Sequence, residues 1–97
     1  MDSISLRVSE IRVVPAREEE VRSGLIAYLS FLVGGKLRID GVTLRRTRGG
    51  RLILSFPAKR NGGGVERPFV RPIDSATREA IEQQVFAELG LSPEEAR

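Results

Sequence analysis

The sequence predicts an α+β fold, an antiparallel sheet of four to five strands with an amphipathic helix at its C-terminal end. Two observations carry this expectation. Up to Phe56 the apolar residues recur with period two, in runs separated by Gly34-Gly35 and Gly49-Gly50, which is the pattern of strands joined by tight turns. After Asp74 the period changes: Ile81, Val85 and Leu89 recur at i, i+4 and i+8, with Phe86 beside them, as one face of a helix requires. At 97 residues the whole chain, 1–97, fits a single domain. A core of that size is modest and gains from a partner, so the fold is expected to dimerise.

The first segment, "ISLRVSEIRVV", alternates through Ile4, Leu6 and Val8 and resumes on the opposite parity at Ile11 and Val13. That shift predicts a strand with a bulge near Ser9 and Glu10, ended by Pro15. The charged "AREEEVRSG" has no period and reads as a loop. "LIAYLSFLV", Leu25 to Val33, is apolar on both parities. It is far short of the roughly 20 residues a membrane helix needs, and a strand apolar on both faces asks for cover on both. A second copy that covers or extends the sheet is the expected source of that cover.

Gly34-Gly35 then suits a two-residue hairpin turn, with the return strand starting at Lys36. In that strand Leu37 and Ile39 lie on one parity and Val42 and Leu44 on the other, so Asp40-Gly41 is the expected bulge. "RLILSF" is the fourth strand, with Leu52, Leu54 and Phe56 on one face and Pro57 closing it. Beyond the glycines 62–64, Pro68 and Pro72 limit "VERPFVRP" to a short fifth strand, because each removes a ladder donor. "DSATREAIEQQVFAEL" is the helix, capped by Asp74 or Ser75, with Arg78 four residues before Glu82. Gly90 followed by Leu91 predicts a Schellman stop. Ser92, Pro93 and Glu95 have the spacing of a further helix start.

Composition removes several kinds of chemistry. There is no Cys, hence no disulfide framework and no thiolate nucleophile, and no His, hence no imidazole base near neutral pH. No catalytic residue, metal, cofactor or small-molecule substrate is expected, and the chain reads as a protein other than an enzyme. The N-terminus lacks the basic and apolar regions of a signal peptide, which points to a cytoplasmic protein with no membrane partner. The glycines 62–64 match neither nucleotide-loop pattern, since no G-x-x-x-x-G-K-[ST] or G-x-G-x-x-G is present, and they read as a turn.

Charge is the informative quantity. The net charge is +3, yet residues 36–71 carry +8 and the remainder −5. In the basic segment Lys36, Arg38, Arg45, Arg46, Arg48, Arg51, Lys59, Arg60, Arg67 and Arg71 meet only Asp40 and Glu66. A basic middle between acidic ends suits a polyanion. Lys59 and Arg60 follow Pro57 at a strand exit and are the leading candidates for phosphate contact. Arg45, Arg46, Arg48 and Arg51 form a second group around Gly49-Gly50. Alternate turns of a meander fall at opposite ends, so the two groups make either one stripe or two patches. Arg71 and Arg78 flank the helix start, and Arg78 has an equally natural role in pairing with Glu82. Most aromatics, Tyr28 included, fall at expected core positions. Phe69 is the one candidate for base stacking, although a plug under the helix is its simpler role. Phosphate-dominated binding is the expected mode.

The block "RLILSFPAKRNGGGVERPFVRPIDSATREAIEQQVF" resembles the SpoVG family of bacterial sporulation and septation regulators. The resemblance is carried by Phe56-Pro57, Lys59-Arg60, Gly62 to Gly64, Arg71-Pro72-Ile73, Asp74-Ser75 and Arg78. Upstream, "VSEIRVV" is similar to the opening strand of that family and "GLIAYLSFLVGGKLRIDGVTL" to its central hairpin, so the family-like core runs from about residue 8 to 89. Arg71 stands where the family usually has His. The resemblance implies a small homodimeric α+β protein that binds DNA and RNA and regulates gene expression, with basic residues after the strand-exit Pro in contact with nucleic acid. Those residues are Lys59 and Arg60 here. The rival expectation is a protein–protein interaction module in septation, whose basic face meets an acidic protein partner.

Overall fold

The computed structural model describes residues 6–60 and 62–92. Its main body is a four-stranded antiparallel sheet in the order β1-β2-β3-β4, with β1 Val8–Pro15, β2 Leu25–Val33, β3 Leu37–Arg46 and β4 Leu52–Ser55. A separate two-stranded ribbon pairs β5 (Ala58–Arg60) with β6 (Glu66–Pro68), and the helix α2 spans Ser75–Leu89. The α+β architecture expected from the two periodicities is the one observed. The parity shift in β1 is a bulge between Ser9 and Arg12, with Glu10 at φ 49°. The shift in β3 falls between Ile39 and Val42, where Gly41 takes φ 80°, a region glycine enters without the Cβ penalty. Ile4, Pro93 and Glu95 lie outside the described residues.

Three local expectations are corrected. The "AREEEVRSG" segment contains a one-turn helix, α1 (Glu18–Val21), instead of running as a plain loop. The Glu20 carboxylate reaches back to accept from the Arg17 backbone N–H at 3.0 Å and closes the turn, a contact that a search for apolar periodicity does not register. The first hairpin loop has three residues, 34–36, since Val33 pairs with Leu37; Lys36 belongs to the loop. The short fifth strand is β6, and it has a partner of its own, because Ala58 to Arg60 form a strand where a basic turn was expected.

One face of the four-stranded sheet makes the core. Ala27, Leu29, Phe31, Val42, Leu44, Leu52 and Leu54 pack there against Ile81, Val85 and Phe86 of α2. Asp74 caps α2 by accepting from the Thr77 N–H at 2.8 Å. Leu91 N–H donates to Phe86 O and Gly90 N–H to Ala87 O, with Gly90 at φ 70°, which completes the expected Schellman stop.

The helix also serves both sheet edges. At β4, Leu54 N–H donates to Glu82 Oε2 at 3.0 Å, and Leu54 O accepts from Arg78 Nη1 at 2.7 Å. At the start of β1, Val8 N–H donates to Gln84 Oε1 at 2.9 Å, and Gln84 Nε2 donates to Leu6 O at 2.6 Å. Side chains of α2 thus bind backbone groups of the two outermost strands, groups that would otherwise invite another chain. No helix among the described residues is long and apolar enough to cross a membrane.

Candidate nucleic-acid interface

Among the described residues no helix packs across the opposite face of the sheet. Cross-strand register places Val14, Tyr28, Thr43 and Ser55 in one row across β1 to β4, with Arg12 opposite Ser30 and Arg45 opposite Ile53. Tyr28 was expected in the core; it is 38% exposed, because β2 alternates without a break, with Leu25, Ala27, Leu29 and Phe31 facing α2 and Tyr28 on the other side. Its hydroxyl donates to Glu20 Oε2 at 2.7 Å, which ties α1 to the rim of this face. The hydrogen bond from the Arg17 backbone, and then that from Tyr28, hold the Glu20 carboxyl below its usual range. Donating to that carboxylate raises the Tyr28 phenol above its ordinary value.

The candidate basic residues fall into four settings. Lys59 stands directly opposite Arg67 in the β5–β6 ribbon, and both are exposed. Like charges directly opposite on a ribbon repel, and an anion held between them relieves that repulsion. Arg60 pairs in register with Glu66, so the two members of the Lys59-Arg60 dipeptide have neighbours of opposite sign. Arg71 is exposed in the segment joining the ribbon to α2.

Arg45 lines a groove of about 540 Å³ with Thr43 and Ser55 of the open face and with Pro57, Ala58 and Glu66 at the base of the ribbon. The groove runs from one expected basic group toward the other, so Arg45 and the ribbon share a surface. Arg46 and Arg48 line a second hollow of about 440 Å³ together with Arg22, Ser23, Gly24 and Ile26. Gly24 makes this hollow possible. It takes φ 96°, its O accepts from the Arg46 N–H at 2.7 Å, and a Cβ there would sit 2.7 Å from Arg46 O.

Arg51 and Arg78 lie elsewhere. Arg51 shares a recess with Glu79, Glu82 and Gln83 on the helix side of the sheet. Arg78 donates to Leu54 O, stands 3.4 Å from Glu82 Oε2 and places its guanidinium 5.7 Å from the Phe56 ring centroid. Its contacts hold α2 to β4. Phe69, expected under the helix, is 68% exposed, and its N–H donates to Pro57 O at 2.9 Å. The Pro68 ring removes a ladder donor one residue earlier and ends β6 there, which leaves Phe69 outside the core.

Sequence reasoning missed Arg22, Arg67 and Tyr28. Arg67 was legible in principle: a hairpin centred on Gly62 to Gly64 aligns "AKR" with "ERP" and sets Arg67 against Lys59. Arg22 depends on α1, and Tyr28 on which face of the sheet α2 covers, neither of which composition discloses. Among the described residues no group of three or more carboxylate side chains is arranged to hold a metal ion.

No family model matches the chain. It is similar to curated proteins named "Putative septation protein SpoVG". The one from Anaeromyxobacter sp. strain K is 29% identical over 85 residues, covering 86% of this chain and 77% of the relative. The one from Anaeromyxobacter sp. strain Fw109-5 is also 29% identical over 85 residues, covering 86% of this chain and 80% of the relative. Similarity over most of both chains bears out the SpoVG-family resemblance read from the sequence.

Proposed function

We propose that this SpoVG-family chain is a homodimeric, nucleic-acid-binding regulatory protein with a part in septation, the process for which its relatives are named. The observation that carries the reading is the cross-strand pair Lys59 and Arg67, two exposed cations in register on a ribbon that stands apart from the main sheet. Phosphate is the anion best suited to that arrangement, because one phosphate group offers several oxygens to two cationic donors. Arg60 and Arg71 extend the cationic ribbon along the chain. Arg45, Arg46 and Arg48 continue the positive surface toward α1, joined there by Arg22. Arg78 is assigned to holding α2 against the sheet, and Arg51 lies on that same side, away from the open face.

Dimerisation is the natural use of the apolar run that follows the ribbon. Phe69, Val70 and Ile73 are all exposed, Ile73 to 83%. A two-stranded ribbon is marginal by itself in water, so packing this run against a second copy would also order the cationic pair. Light scattering on a sizing column is expected to give twice the chain mass at micromolar concentration. A monomer there would remove the dimer from the proposal.

Fluorescence anisotropy with short labelled DNA and RNA across a salt series tests the binding itself. Wild type is expected to lose affinity linearly in log salt, with a slope of about −0.9 per phosphate on duplex DNA. Lys59→Ala/Arg67→Ala is expected to weaken binding about tenfold at low salt and to flatten the slope by about one to two phosphates. An unchanged double variant would move the contact off the ribbon. Absence of binding at low salt would favour the rival role, in which the basic surface meets an acidic protein.

A further inference from the structure

Tyr28 occupies a position that phosphate contacts alone do not use. It lies at the centre of the uncovered sheet face, between Val14 of β1 and Thr43 of β3. Its ring belongs to β2, a strand paired on both sides, and its hydroxyl donates to Glu20. Each of the two recesses described above includes one of its neighbours in the sheet. Ile26, two residues before Tyr28, lines the hollow of Arg22, Arg46 and Arg48. Thr43, its cross-strand partner, lines the groove of Arg45. An exposed aromatic thus neighbours residues of two arginine-lined recesses on an open sheet.

On this geometry we infer that the open face binds single-stranded nucleic acid, with one base stacked on the Tyr28 ring and the flanking phosphates on Arg45 and on the Arg46–Arg48 hollow. The inference rests on the nucleic-acid reading above and adds to it the strandedness of the ligand and a residue that touches a base. Aromatic rings on a sheet are suited to unpaired bases, whose faces are available, while in a duplex the same faces are already stacked. Charge agrees with this occupant. Arg12, Arg38 and Arg45 lie on this face; of the carboxylates near it, Glu10 is paired with Arg38 at 3.3 Å, Glu20 accepts from Tyr28, and Glu66 lies at the ribbon end of the Arg45 groove. A polyanion is therefore better suited to the face than an acidic protein that presents no unpaired bases.

The chain contains one Tyr and no Trp, so its intrinsic fluorescence reports on Tyr28 alone. The probes are oligouridylate and oligothymidylate of about 12 nucleotides, within the range one small single-strand site covers, and a mixed-sequence duplex of equal length. After correction for absorbance, the single strands are expected to quench the tyrosine emission at saturation and the duplex to leave it nearly unchanged. Quenching by oligouridylate alone, or by oligothymidylate alone, assigns the site to RNA or to DNA within the same proposal.

Tyr28→Leu is expected to weaken single-strand binding about tenfold or more. Tyr28→Phe, which keeps the ring and loses the hydroxyl, is expected to stay within about threefold of wild type. Phe69→Ala is expected to leave the quenching in place. If anisotropy shows the single strands bound while tyrosine emission does not change, the stacking inference is overturned and the ribbon reading stands. If nothing binds by anisotropy, both fall.

Discussion

The sheet under α2 and the arm from Pro57 to Ile73 are built on opposite terms. In the sheet, Phe31, Val42 and Leu54 are fully buried together with Val85 of α2, and side chains of the helix satisfy backbone groups at both edges. In the arm, two three-residue strands pair with each other, and every residue from Ala58 to Arg71 whose burial is described is exposed. Stability therefore resides in the first region, and the second is free to hold like charges side by side. The contrast says where a substitution should unfold the protein and where it should change only what the protein binds.

The sharpest way to break the contrast is at its buried end. Phe31→Ala empties the centre of the core and is expected to destabilise by about 3–5 kcal/mol in urea unfolding, since large-to-small changes lose both transfer energy and packing. Glu82→Ala strands the Leu54 N–H and leaves Arg78 without its carboxylate, and should cost about 1–3 kcal/mol by the same measurement. Gly24→Ala forces a Cβ against the Arg46 carbonyl at a positive φ and is expected to cost about 1–3 kcal/mol. It should also distort the Arg22, Arg46 and Arg48 hollow, because the Gly24–Arg46 backbone bond forms part of it.

At the exposed end, Lys59→Ala/Arg67→Ala is expected to change stability by no more than about 0.5 kcal/mol, with any gain coming from relieved repulsion. A large loss of stability there would mean that the arm is part of the fold. The smallest effects are those of pH. Hydrogen bonds from Thr77, first from its hydroxyl and then from its backbone N–H, lower the Asp74 pKa below its ordinary 3.8. That contribution is complete above the ordinary value and is lost as pH falls through the lowered one, so Asp74→Ala should flatten the acid limb of the stability profile. Tyr28 runs the other way. Its raised phenol contributes fully below the ordinary 10.0 and loses that contribution as pH rises through the shifted value, which absorbance of the phenolate will follow.

How legible each region was in the sequence follows the same division. Alternation at Leu52 and Leu54, the parity shifts at Ser9 and at Asp40-Gly41, and the Asp74 and Gly90 caps are local signals, and each corresponds to an observed feature. The arm was read less well because its structure depends on pairing across the glycines. Ala58 to Arg60 and Glu66 to Pro68 are each too short to register as strands alone. The open face failed for a different reason. Tyr28 is apolar by type and lies in an apolar run, so only the placement of α2 on the other side reveals it as a surface residue. Arg78 marks the middle case: its spacing to Glu82 was visible, while its bond to Leu54 O needed the fold.

The edge contacts made by α2 bear on how the chain comes off the ribosome. Every strand of the main sheet is synthesised before Arg78, Glu82 and Gln84, the residues that bind its two outermost strands. Translation adds about 5–20 residues per second, so roughly 1.5 to six seconds pass between the addition of Ser55 and that of Gln84. Until α2 is in place, the outer backbone groups of β1 and β4 have no side chain to bind them and are open to a neighbouring strand. The completed helix ends that exposure by binding both outer strands.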